Sequence, residues 1–469
     1  MKIEQIYTGC LAQGAYYIES QGEVAIIDPL REIQPYMKKA TSEGASIKYV
    51  FETHFHADFV SGHLDLAQQT GATIVYGPNA ETDYDIHSAH DGEVFNIGAI
   101  TITALHTPGH TLESTTYLLK DEQGKDHAIF TGDTLFLGDV GRPDLAIKND
   151  LTKEDLAGML FDSLRNKIMP LADDVLVYPA HGAGSACGKS MSKETVGRLG
   201  EQKKTNYALR EEMTKEEFVE EVLSGMPPPP QYFAKNAMLN KTGYDAFENV
   251  LKTGNVPLSP DAFENLVNQN DALVLDVRHQ DEFVKSHIPN SVFIGLNGQF
   301  APWVGALVSD LKQPILLVVP EGKSEEAVTR LSRVGYDNTL GYLEGDLEAW
   351  KAAGKETDHV ESIPAEEFAQ RAKQQDLNVL DVRRDGEFKS MHLEDAQHFA
   401  LDHINEQMDA IQKDKTYYVH CAGGYRSVIA ASILKARGFH NLVDIKGGFG
   451  AIKETDLPKT EFVCPSTIK

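Results

Sequence analysis

The sequence contains one stretch whose residue types and spacing suit a metal ion. Thr53-His54-Phe55-His56-Ala57-Asp58 follows the apolar run KYVFE and places two imidazoles and a carboxylate within five residues. Three more candidate ligands follow apolar runs at Gly- or Pro-containing turns, namely His110 in TPGHT, Asp133 in FTGDT and His181 in YPAHG. Imidazole and carboxylate are common ligands of transition metals, and separate strand ends can converge on one ion. The sequence therefore predicts a metal centre built from these turns.

A second stretch suits sulfur chemistry. The apolar run TYYVH leads into Cys421-Ala422-Gly423-Gly424-Tyr425-Arg426-Ser427, and a helical run follows. A thiol just ahead of a helix N-terminus is favoured as thiolate, because the helix dipole and free N–H groups stabilise an anion. We expect Cys421 to be a nucleophile that stores sulfur as a persulfide, assisted by the positive charge of Arg426. The residues expected to bind the substrate in this loop are Gly423, Gly424 and Tyr425.

The spacing of the loop distinguishes it from that of cysteine phosphatases. Four residues separate Cys421 from Arg426, whereas the phosphatase pattern HCx5R has one more. The shorter loop fits a sulfur atom better than a phosphate group.

The elements that must position these groups belong to an α/β protein with several domains. A chain of 469 residues exceeds what one core usually organises. Residues 1–225 alternate short β-rich runs with helical stretches, and four prolines open the segment 226–257, which we expect to be a linker. Beyond it, LDVRHQDEF, from Leu275, is echoed by LDVRRDGEF, from Leu380. This echo predicts two copies of one α/β unit, at 258–357 and 358–469.

The first copy lacks the residues that the second uses for chemistry. Where the second has its cysteine loop, the first reads ILLVVPEGKSEEAV, and aligning the strands places Pro320 at the cysteine and Glu325 at the arginine. Proline has no nucleophile, and a carboxylate repels a sulfur anion. We expect 258–357 to be a pseudo-domain that packs, spaces or binds.

Composition disfavours two classes of partner and indicates a compartment. The formal net charge of −26 and the pI near 5.0 disfavour nucleic acid and anionic membranes, since both attract a basic surface. The N-terminus shows no signal-peptide pattern, and no apolar run approaches membrane-spanning length. Four cysteines without a CxxC pair suit thiol chemistry in a reducing compartment. We therefore expect a cytoplasmic protein and leave homo-oligomer formation open.

The string HxHxD followed by GH, GD and AHG resembles the metallo-β-lactamase superfamily over roughly the first 200 residues. The resemblance implies an αββα fold for this part of the chain. Members include lactamases, glyoxalase II thioesterases, nucleases and persulfide dioxygenases, so the fold alone does not fix the reaction. In the dinuclear hydrolases a further histidine helps to hold a second metal, but this chain has Phe59 there. One metal is therefore expected, with His63 left open as a replacement ligand.

Within this superfamily the sequence most resembles the persulfide dioxygenases. The resemblance implies one Fe(II) per chain in the N-terminal domain, held by His54, His110 and Asp133. Such a two-His-one-carboxylate face leaves positions free for substrate sulfur and dioxygen. The residues that would then orient the ligands and bound water are His56, Asp58 and His181.

Two further residues of the first domain are candidates for substrate chemistry. The resemblance implies that Arg142, in the loop GDVGRPDL, binds a carboxylate of the substrate through bidentate hydrogen bonds. A surface salt bridge is the alternative role for this arginine. Cys187 lies six residues after His181 and is a candidate to accept or pass on sulfane sulfur. Its alternative role is that of a small buried hydrophobic residue.

The loop HCAGGYRS, with LDVR upstream, resembles the rhodanese family over about the last 105 residues. The order of all the parts resembles multidomain sulfurtransferase–dioxygenases of bacterial sulfide detoxification. That resemblance implies oxidation of low-molecular-weight thiol persulfides by O2 to sulfite and thiol. It also implies transfer of sulfane sulfur through Cys421 to sulfite, which gives thiosulfate. The alternative is a dinuclear zinc thioesterase of the glyoxalase II kind with a rhodanese module as sulfur carrier.

Overall fold

The computed structural model describes residues 1–145, 151–189, 191–226 and 228–464. They form two compact units, the first from 1–249 together with 332–335 and the second from 250–331 and from 336 onward. Residue 227 of the predicted linker and residues 465–469 of the last predicted domain lie outside the described residues. Among the described residues, no helix is long and apolar enough to cross a membrane.

The first unit contains two six-stranded sheets. The first sheet consists, in hydrogen-bonded order, of β1 (Lys2–Thr8), β2 (Gln13–Ser20), β3 (Glu23–Ile27), β4 (Ser46–Phe51), β5 (Thr73–Tyr76) and β6 (His87–Ser88). The second consists, also in hydrogen-bonded order, of β7 (Val94–Ile97), β8 (Ile100–His106), β9 (Thr115–Lys120), β10 (Asp126–Gly132), β11 (Leu176–Pro179) and β12 (Gly197–Arg198).

Alternation along the strands divides their side chains between two apolar layers. Tyr16 and Ile18 of β2 pack with Phe130 of β10 in a core between the sheets. Their neighbours Ala15 and Tyr17 belong instead to a core on the outer face of the first sheet. Successive side chains of a strand point to opposite faces, so each sheet here needs cover on both faces.

Helices provide the outer cover and complete an αββα arrangement, as the resemblance implied. The helices of this unit are α1 (Gln34–Glu43), α2 (His63–Thr70), α3 (Lys153–Ser163), α4 (Leu199–Thr205), α5 (Lys215–Leu223), α6 (Phe233–Thr242) and α7 (Phe247–Gly254), whose last residues fall in the second unit. Residues of α1 and α2 cover the first sheet, and residues of α3 and α5 cover the second.

The predicted linker 226–257 has more structure than its prolines suggest. It contains all of α6 and α7, and Phe233 and Asn240 of α6 are buried. The four prolines precede α6 rather than extend through the segment. Proline disrupts the helical turn before it but does not prevent a helix from beginning after it. The domain boundaries stay predictions, but the contacts divide the chain at 249/250.

The second unit contains two five-stranded parallel sheets with the same topology. The first contains β13 (Pro257–Leu258), β14 (Leu273–Asp276), β15 (Val292–Phe293), β16 (Ile315–Val318) and β17 (Thr339–Leu343) in the order β13-β17-β16-β14-β15. The second contains β18 (Glu361–Ile363), β19 (Asn378–Asp381), β20 (Ala396–His398), β21 (Tyr417–His420) and β22 (Leu442–Ile445) in the order β18-β22-β21-β19-β20. The shared order confirms that the sequence echo is a structural duplication.

Helices connect these parallel strands. In the first copy they are α8 (Pro260–Asn270), α9 (Gln280–Phe283), α10 (Phe300–Leu307), α11 (Ser324–Ser332) and α12 (Asp346–Ala352). In the second copy they are α13 (Ala365–Ala372), α14 (Asp385–Ser390), α15 (Tyr425–Ala436) and α16 (Gly448–Ile452).

The strand register corrects one residue of the sequence alignment between the copies. Asp276 pairs with Val318, and Asp381 pairs with His420, so Val319 rather than Pro320 follows the strand at the place of Cys421. The loop to the following helix is one residue longer in the first copy, which hid the shift. Valine, like proline, has no nucleophile, so the first copy still lacks the thiol. We call this copy, residues 258–357, the silent copy.

Candidate functional site

The predicted metal ligands of the first unit converge at the ends of three strands. His54 follows β4, His110 follows β8, and Asp133 follows β10, and one ligand atom from each lies within 4.8 Å of the other two. The Nε2 atoms of His54 and His110 lie 3.8 and 3.4 Å from Oδ2 of Asp133. That oxygen is buried and has no hydrogen-bond partner among the described residues. A bare carboxylate oxygen facing two imidazole nitrogens fits a metal ion.

The surroundings fix which nitrogen of each imidazole faces this point. The hydroxyl of Thr53 donates to Asp28, so it is left to accept from Nδ1 of His54 at 3.0 Å. Nδ1 of His110 lies 2.8 Å from the carbonyl oxygen of Arg142, which can only accept. Each Nδ1 therefore carries the proton, and each Nε2 presents its lone pair toward Asp133.

The ionisation states also suit a cation. Burial, followed by the nearby His56, lowers the pKa of His54 well below its usual range, so the imidazole is neutral. Burial alone would raise the pKa of Asp133, but the imidazoles of His181, His54 and His110 outweigh it and hold the pKa low. Two imidazoles and one carboxylate match a divalent ion that keeps open coordination positions.

His56, predicted to orient the ligands, turns toward two buried carboxylates. Its Nε2 lies 3.0 Å from Oδ1 of Asp28 and 3.4 Å from Oε2 of Glu52. Burial opposes charge on this ring, yet Asp28 and Glu52 raise its pKa well above the usual range. His63 contacts the other oxygen of Glu52 at 3.4 Å and packs against tyrosines, so the described contacts do not place it in a metal-ligand group.

A second group of potential ligands lies beside the first. Asp58, His181 and Cys187 have ligand atoms within 4.8 Å of one another. His181 bridges two carboxylates, with Nδ1 2.8 Å from Asp133 and Nε2 2.7 Å from Asp58. Burial opposes charge on His181, but Asp133 and Asp58 raise its pKa to about 10. Phe59 is fully buried against the His56 ring, and Cys187 is the third potential ligand of this second group.

Cys187 itself is almost completely buried. Burial, followed by Asp58 and Asp133, raises the pKa of its thiol well above the usual value. Without a cation the thiol is therefore protonated and a poor nucleophile. Its predicted role in sulfur relay stays a prediction.

Arg142 is also buried, and its side chain is engaged. Its Nε and Nη2 donate to the two oxygens of Asp144 at 2.7 and 2.8 Å, and Nη1 donates to the carbonyl of Ala186 at 3.3 Å. The structure thus gives Arg142 a contribution that the sequence did not reveal, through its carbonyl on His110. Binding of a substrate carboxylate by its guanidinium stays a prediction.

Asn240 of α6 is a supporting residue that the sequence reasoning missed. Its Nδ2 donates to the carbonyls of His56 and Phe59, both at 2.8 Å, and its Oδ1 accepts from the backbone N–H of Ser61 at 2.9 Å. These bonds tie the loop of the metal motif to a helix residue that lies 181 positions after Phe59. A lone asparagine in a segment read as a linker carries no sequence signal for this role.

The predicted sulfur-transfer loop lies between β21 and α15. The thiol sulfur of Cys421 accepts from the N–H of Gly424 at 3.1 Å, and Gly424 has φ +98°, which favours glycine. Arg426 does not point a free charge at the sulfur, because both its terminal nitrogens donate to Glu387 of α14 at 2.6 and 2.8 Å. Burial opposes its charge, but these bonds raise the pKa of Arg426 above its usual value.

Both copies of the duplication line the opening above Cys421. A cavity of about 370 Å³ is lined by Gln299, Trp303, Arg384, Glu387, Cys421, Gly423, Tyr425 and Arg426. Gln299 and Trp303 come from the silent copy, and the Tyr425 hydroxyl donates to the carbonyl of Gly295 there at 2.6 Å. The guanidinium of Arg384 lies 5.9 Å from the Trp303 ring centre. The described residues thus bring Cys421 and all four other predicted loop and substrate residues, Gly423 to Arg426, to one site.

Comparison with known proteins assigns families to both parts of the chain. The model described as the metallo-beta-lactamase superfamily matches residues 8–181, and the model described as a rhodanese-like domain matches 259–353 and 364–455. A solved structure of a metallo-beta-lactamase from Staphylococcus aureus is similar, with 30% identity and a TM-score of 0.64. That comparison covers 73% of this chain and 98% of the other.

Two curated relatives resemble the first unit and differ in activity. A probable hydroxyacylglutathione hydrolase of Schizosaccharomyces pombe is 30% identical over 166 residues, which cover 35% of this chain and 60% of the relative. The human mitochondrial persulfide dioxygenase ETHE1 is 31% identical over 161 residues, which cover 34% of this chain and 59% of the relative. The chain thus spans about 60% of the length of these relatives.

Proposed function

We propose a function from the premise that this chain belongs to the metallo-beta-lactamase superfamily and carries two rhodanese-like domains. The first unit oxidises a low-molecular-weight thiol persulfide with O2, and Cys421 transfers sulfane sulfur to the sulfite that is formed. Persulfide, water and O2 give thiol, sulfite and two protons; a second persulfide and sulfite give thiol and thiosulfate. Both reactions balance without another oxidant or reductant.

The observation that carries the proposal is the triad of His54, His110 and Asp133. Its ligand atoms converge, its imidazoles are oriented by Thr53 and Arg142, and the hydrolase-type histidine is replaced by Phe59. Bound Fe(II) would supply positions at which substrate sulfur and O2 meet. Similarity to a human persulfide dioxygenase supports this choice, and similarity of the same extent to a probable hydroxyacylglutathione hydrolase supports the fold, a metal and the thioesterase considered below.

The remaining assignments follow from the same proposal. We assign Arg142 to a substrate carboxylate, which would compete with Asp144 for the guanidinium. Cys187 is assigned to sulfur relay at the edge of the metal group. Cys421 is the sulfur acceptor, with Gly424 donating to its sulfur. The protein would act on small molecules in the cytoplasm.

The test combines metal reconstitution with two matched variants of the full chain. The protein is reconstituted anaerobically with Fe(II), and O2 uptake and thiosulfate are measured with glutathione persulfide, coenzyme A persulfide and other persulfides. We expect His110→Ala to abolish O2 uptake but keep thiosulfate formation from added persulfide and sulfite. We expect Cys421→Ser to keep O2 uptake but abolish thiosulfate formation from added persulfide and sulfite. Thioester hydrolysis with two zinc ions per chain and no O2 uptake would contradict the proposal.

One observation favours a second candidate, the dinuclear zinc thioesterase. Asp58, His181 and Cys187 form a second group of donors beside the first, so Phe59 does not by itself abolish a second site. Zinc binding by the wild type and Cys187→Ala separates the two candidates. The thioesterase requires two zinc ions in the wild type and a loss of one in the variant, with hydrolysis of a glutathione thioester falling in parallel.

A further inference from the structure

A line of buried hydrogen bonds leads away from Cys421, on a path that the proposed function does not use. The Cys421 thiol donates to the hydroxyl of Ser427 at 3.7 Å, and that hydroxyl donates to Oδ1 of Asp444 at 2.7 Å. The hydroxyl of Ser362 donates to Oδ2 of Asp444, also at 2.7 Å. Cys421, Ser427 and Asp444 are at most 3% exposed. The hydrogen bonds from Cys421 to Ser427 and from Ser427 to Asp444 thus run in one direction, from the sulfur to the carboxylate.

Asp444 differs from the other buried aspartate of this domain, because no cation among the described residues pairs with it directly. Asp381, by contrast, receives three hydrogen bonds from the Arg383 side chain. No Lys, Arg or His among the described residues forms an ion pair with Asp444, and both its oxygens are held only by hydroxyls. Burying a carboxylate without an ion-pair partner costs free energy, so a function for Asp444 would account for its presence.

The duplication provides an internal comparison for each member of this line. Asp444 pairs with Val419 on one side and Ser362 on the other, and in the silent copy the same register holds Tyr342 and Pro257. The third residue of α15 is Ser427, and the third residue of α11 is Glu326. The copy that lacks the cysteine therefore lacks the serine and the aspartate as well.

A purely structural pair behaves differently in the same comparison. Asp276 and Arg278 of the silent copy match Asp381 and Arg383 of the other, with Nη2 to Oδ2 distances of 2.6 and 2.5 Å. What both copies need for folding is kept in both. Ser427 and Asp444, in contrast, are present only in the copy that has the cysteine.

We propose that Ser427 and Asp444 form a proton path for Cys421, which stores the thiol proton while the sulfur is loaded. The inference rests on sulfur transfer at Cys421. During loading the Sγ–H bond breaks, and its proton passes through Ser427 to Asp444. Sγ then attacks the outer sulfur of the persulfide RSSH, the RS–S bond breaks, and the proton of the transferred sulfur leaves with RSH.

Discharge reverses the proton movement. Sulfite attacks the outer sulfur of the Cys421 persulfide, a new S–S bond forms, and the bond from Sγ to that sulfur breaks. The electron pair stays on Sγ, which takes back its proton from Asp444 through Ser427. Thiosulfate leaves, and the starting state is restored with no change in total charge at the site.

The surroundings of Asp444 set the pH range of this path. Burial, acting against the hydrogen bonds from Ser427 and Ser362, raises the pKa of Asp444 to about 6. The charged groups that act on it are Lys446, which lowers the pKa, and Asp281 of α9, which raises it. Above this pKa the carboxylate of Asp444 can accept the thiol proton. Below it the carboxyl group is already protonated and cannot accept another. Sulfur loading should therefore slow as the pH falls through about 6.

The test uses single-turnover sulfur transfer by the full chain across pH, with Asp444→Asn, Ser427→Ala and Ser427→Thr. We expect Asp444→Asn and Ser427→Ala to lower the rate about 100-fold, while KM stays within about twofold. Both should also lose the acidic limb, which is the fall of the rate as the pH drops through the pKa of Asp444. Ser427→Thr keeps the hydroxyl and should keep rate and limb. Tyr342→Phe, at the matched position of the silent copy, should behave as the wild type.

A substrate-free readout separates this inference from the proposed function. Alkylation of Cys421 by iodoacetamide, followed on its peptide by mass spectrometry, should show the same acidic limb in the wild type and lose it in Asp444→Asn. Wild-type rates and limbs in folded Asp444→Asn or folded Ser427→Ala would overturn the proton path. If Asp444→Asn does not fold, the Ser427→Ala and Ser427→Thr pair decides alone. Unchanged transfer in Cys421→Ser overturns sulfur transfer at this residue, whatever the alkylation shows.

Discussion

Asn240 offers a sharp test of how the metal loop is held, because a single side chain makes all the connections. It is fully buried and forms three hydrogen bonds to the backbone between His56 and Ser61. At about 1 kcal/mol for each bond, Asn240→Ala should destabilise the first unit by about 3 kcal/mol. The two freed carbonyls and one N–H then leave the loop without its fixed position.

Part of this loss should appear as weaker metal binding. The bonds hold the backbone beside His54 rather than the ligand itself, so we expect the low end of the usual range for supporting residues. That is an affinity about tenfold lower, equivalent to about 1.4 kcal/mol. Competition with a chelator of known affinity measures it, for Fe(II) under anaerobic conditions and for Zn(II).

The same helix provides a matched control. Asn236, one turn earlier, is equally buried, but its side-chain amide has no hydrogen-bond partner among the described residues. Asn236→Ala removes a polar group that gains nothing from burial, so its metal affinity should equal that of the wild type. Equal metal affinities for Asn240→Ala and Asn236→Ala would refute the reasoning that α6 positions the loop.

Three more outcomes follow from the geometry. Asp28→Asn should lower metal affinity about 10- to 100-fold in a chelator titration, because Thr53 can then turn its hydroxyl away from His54. Burial lowers the pKa of His287 from 6.5 to about 4, so the unfolded chain binds more protons between these values and stability falls as the pH drops. The melting temperature of the wild type should therefore fall more steeply over that interval than that of His287→Gln. Trp303→Ala should raise KM for persulfide in sulfur transfer, with kcat little changed and Trp303→Phe restoring KM, since Trp303 lines the cavity above Cys421.

The parts of the site that the sequence predicted are those whose signal is local. His54, His110 and Asp133 each stand in a short motif after a strand, and the ends of these strands, one in the first sheet and two in the second, lie close together. The cysteine loop and the duplication are likewise readable from short strings. The αββα layering followed from the resemblance and is confirmed by the two sheets and their outer helices.

The parts that it could not predict depend on contacts between distant segments. Asn240 lies in a segment whose prolines indicate a linker, and only the packing of α6 shows that it holds the metal loop. Cys187 and His181 lie close to Asp58, which is far from them in the sequence. The absence of a histidine at position 59 gave no indication of this group. A one-residue difference in loop length moved the silent copy's alignment from Val319 to Pro320.

The contact between Tyr425 and the silent copy changes how variation in this protein should be interpreted. The Tyr425 hydroxyl is anchored on Gly295, and a Cβ at Gly298 would overlap the Tyr425 ring. An alanine at Gly298 would therefore push on the cysteine loop from a domain that lacks the cysteine itself. Selection on sulfur transfer would then reach into the silent copy, and its cavity-lining face should tolerate fewer substitutions than its opposite face. A mutational scan of 258–357 would map that boundary directly, as a patch of activity-sensitive positions on an otherwise permissive domain.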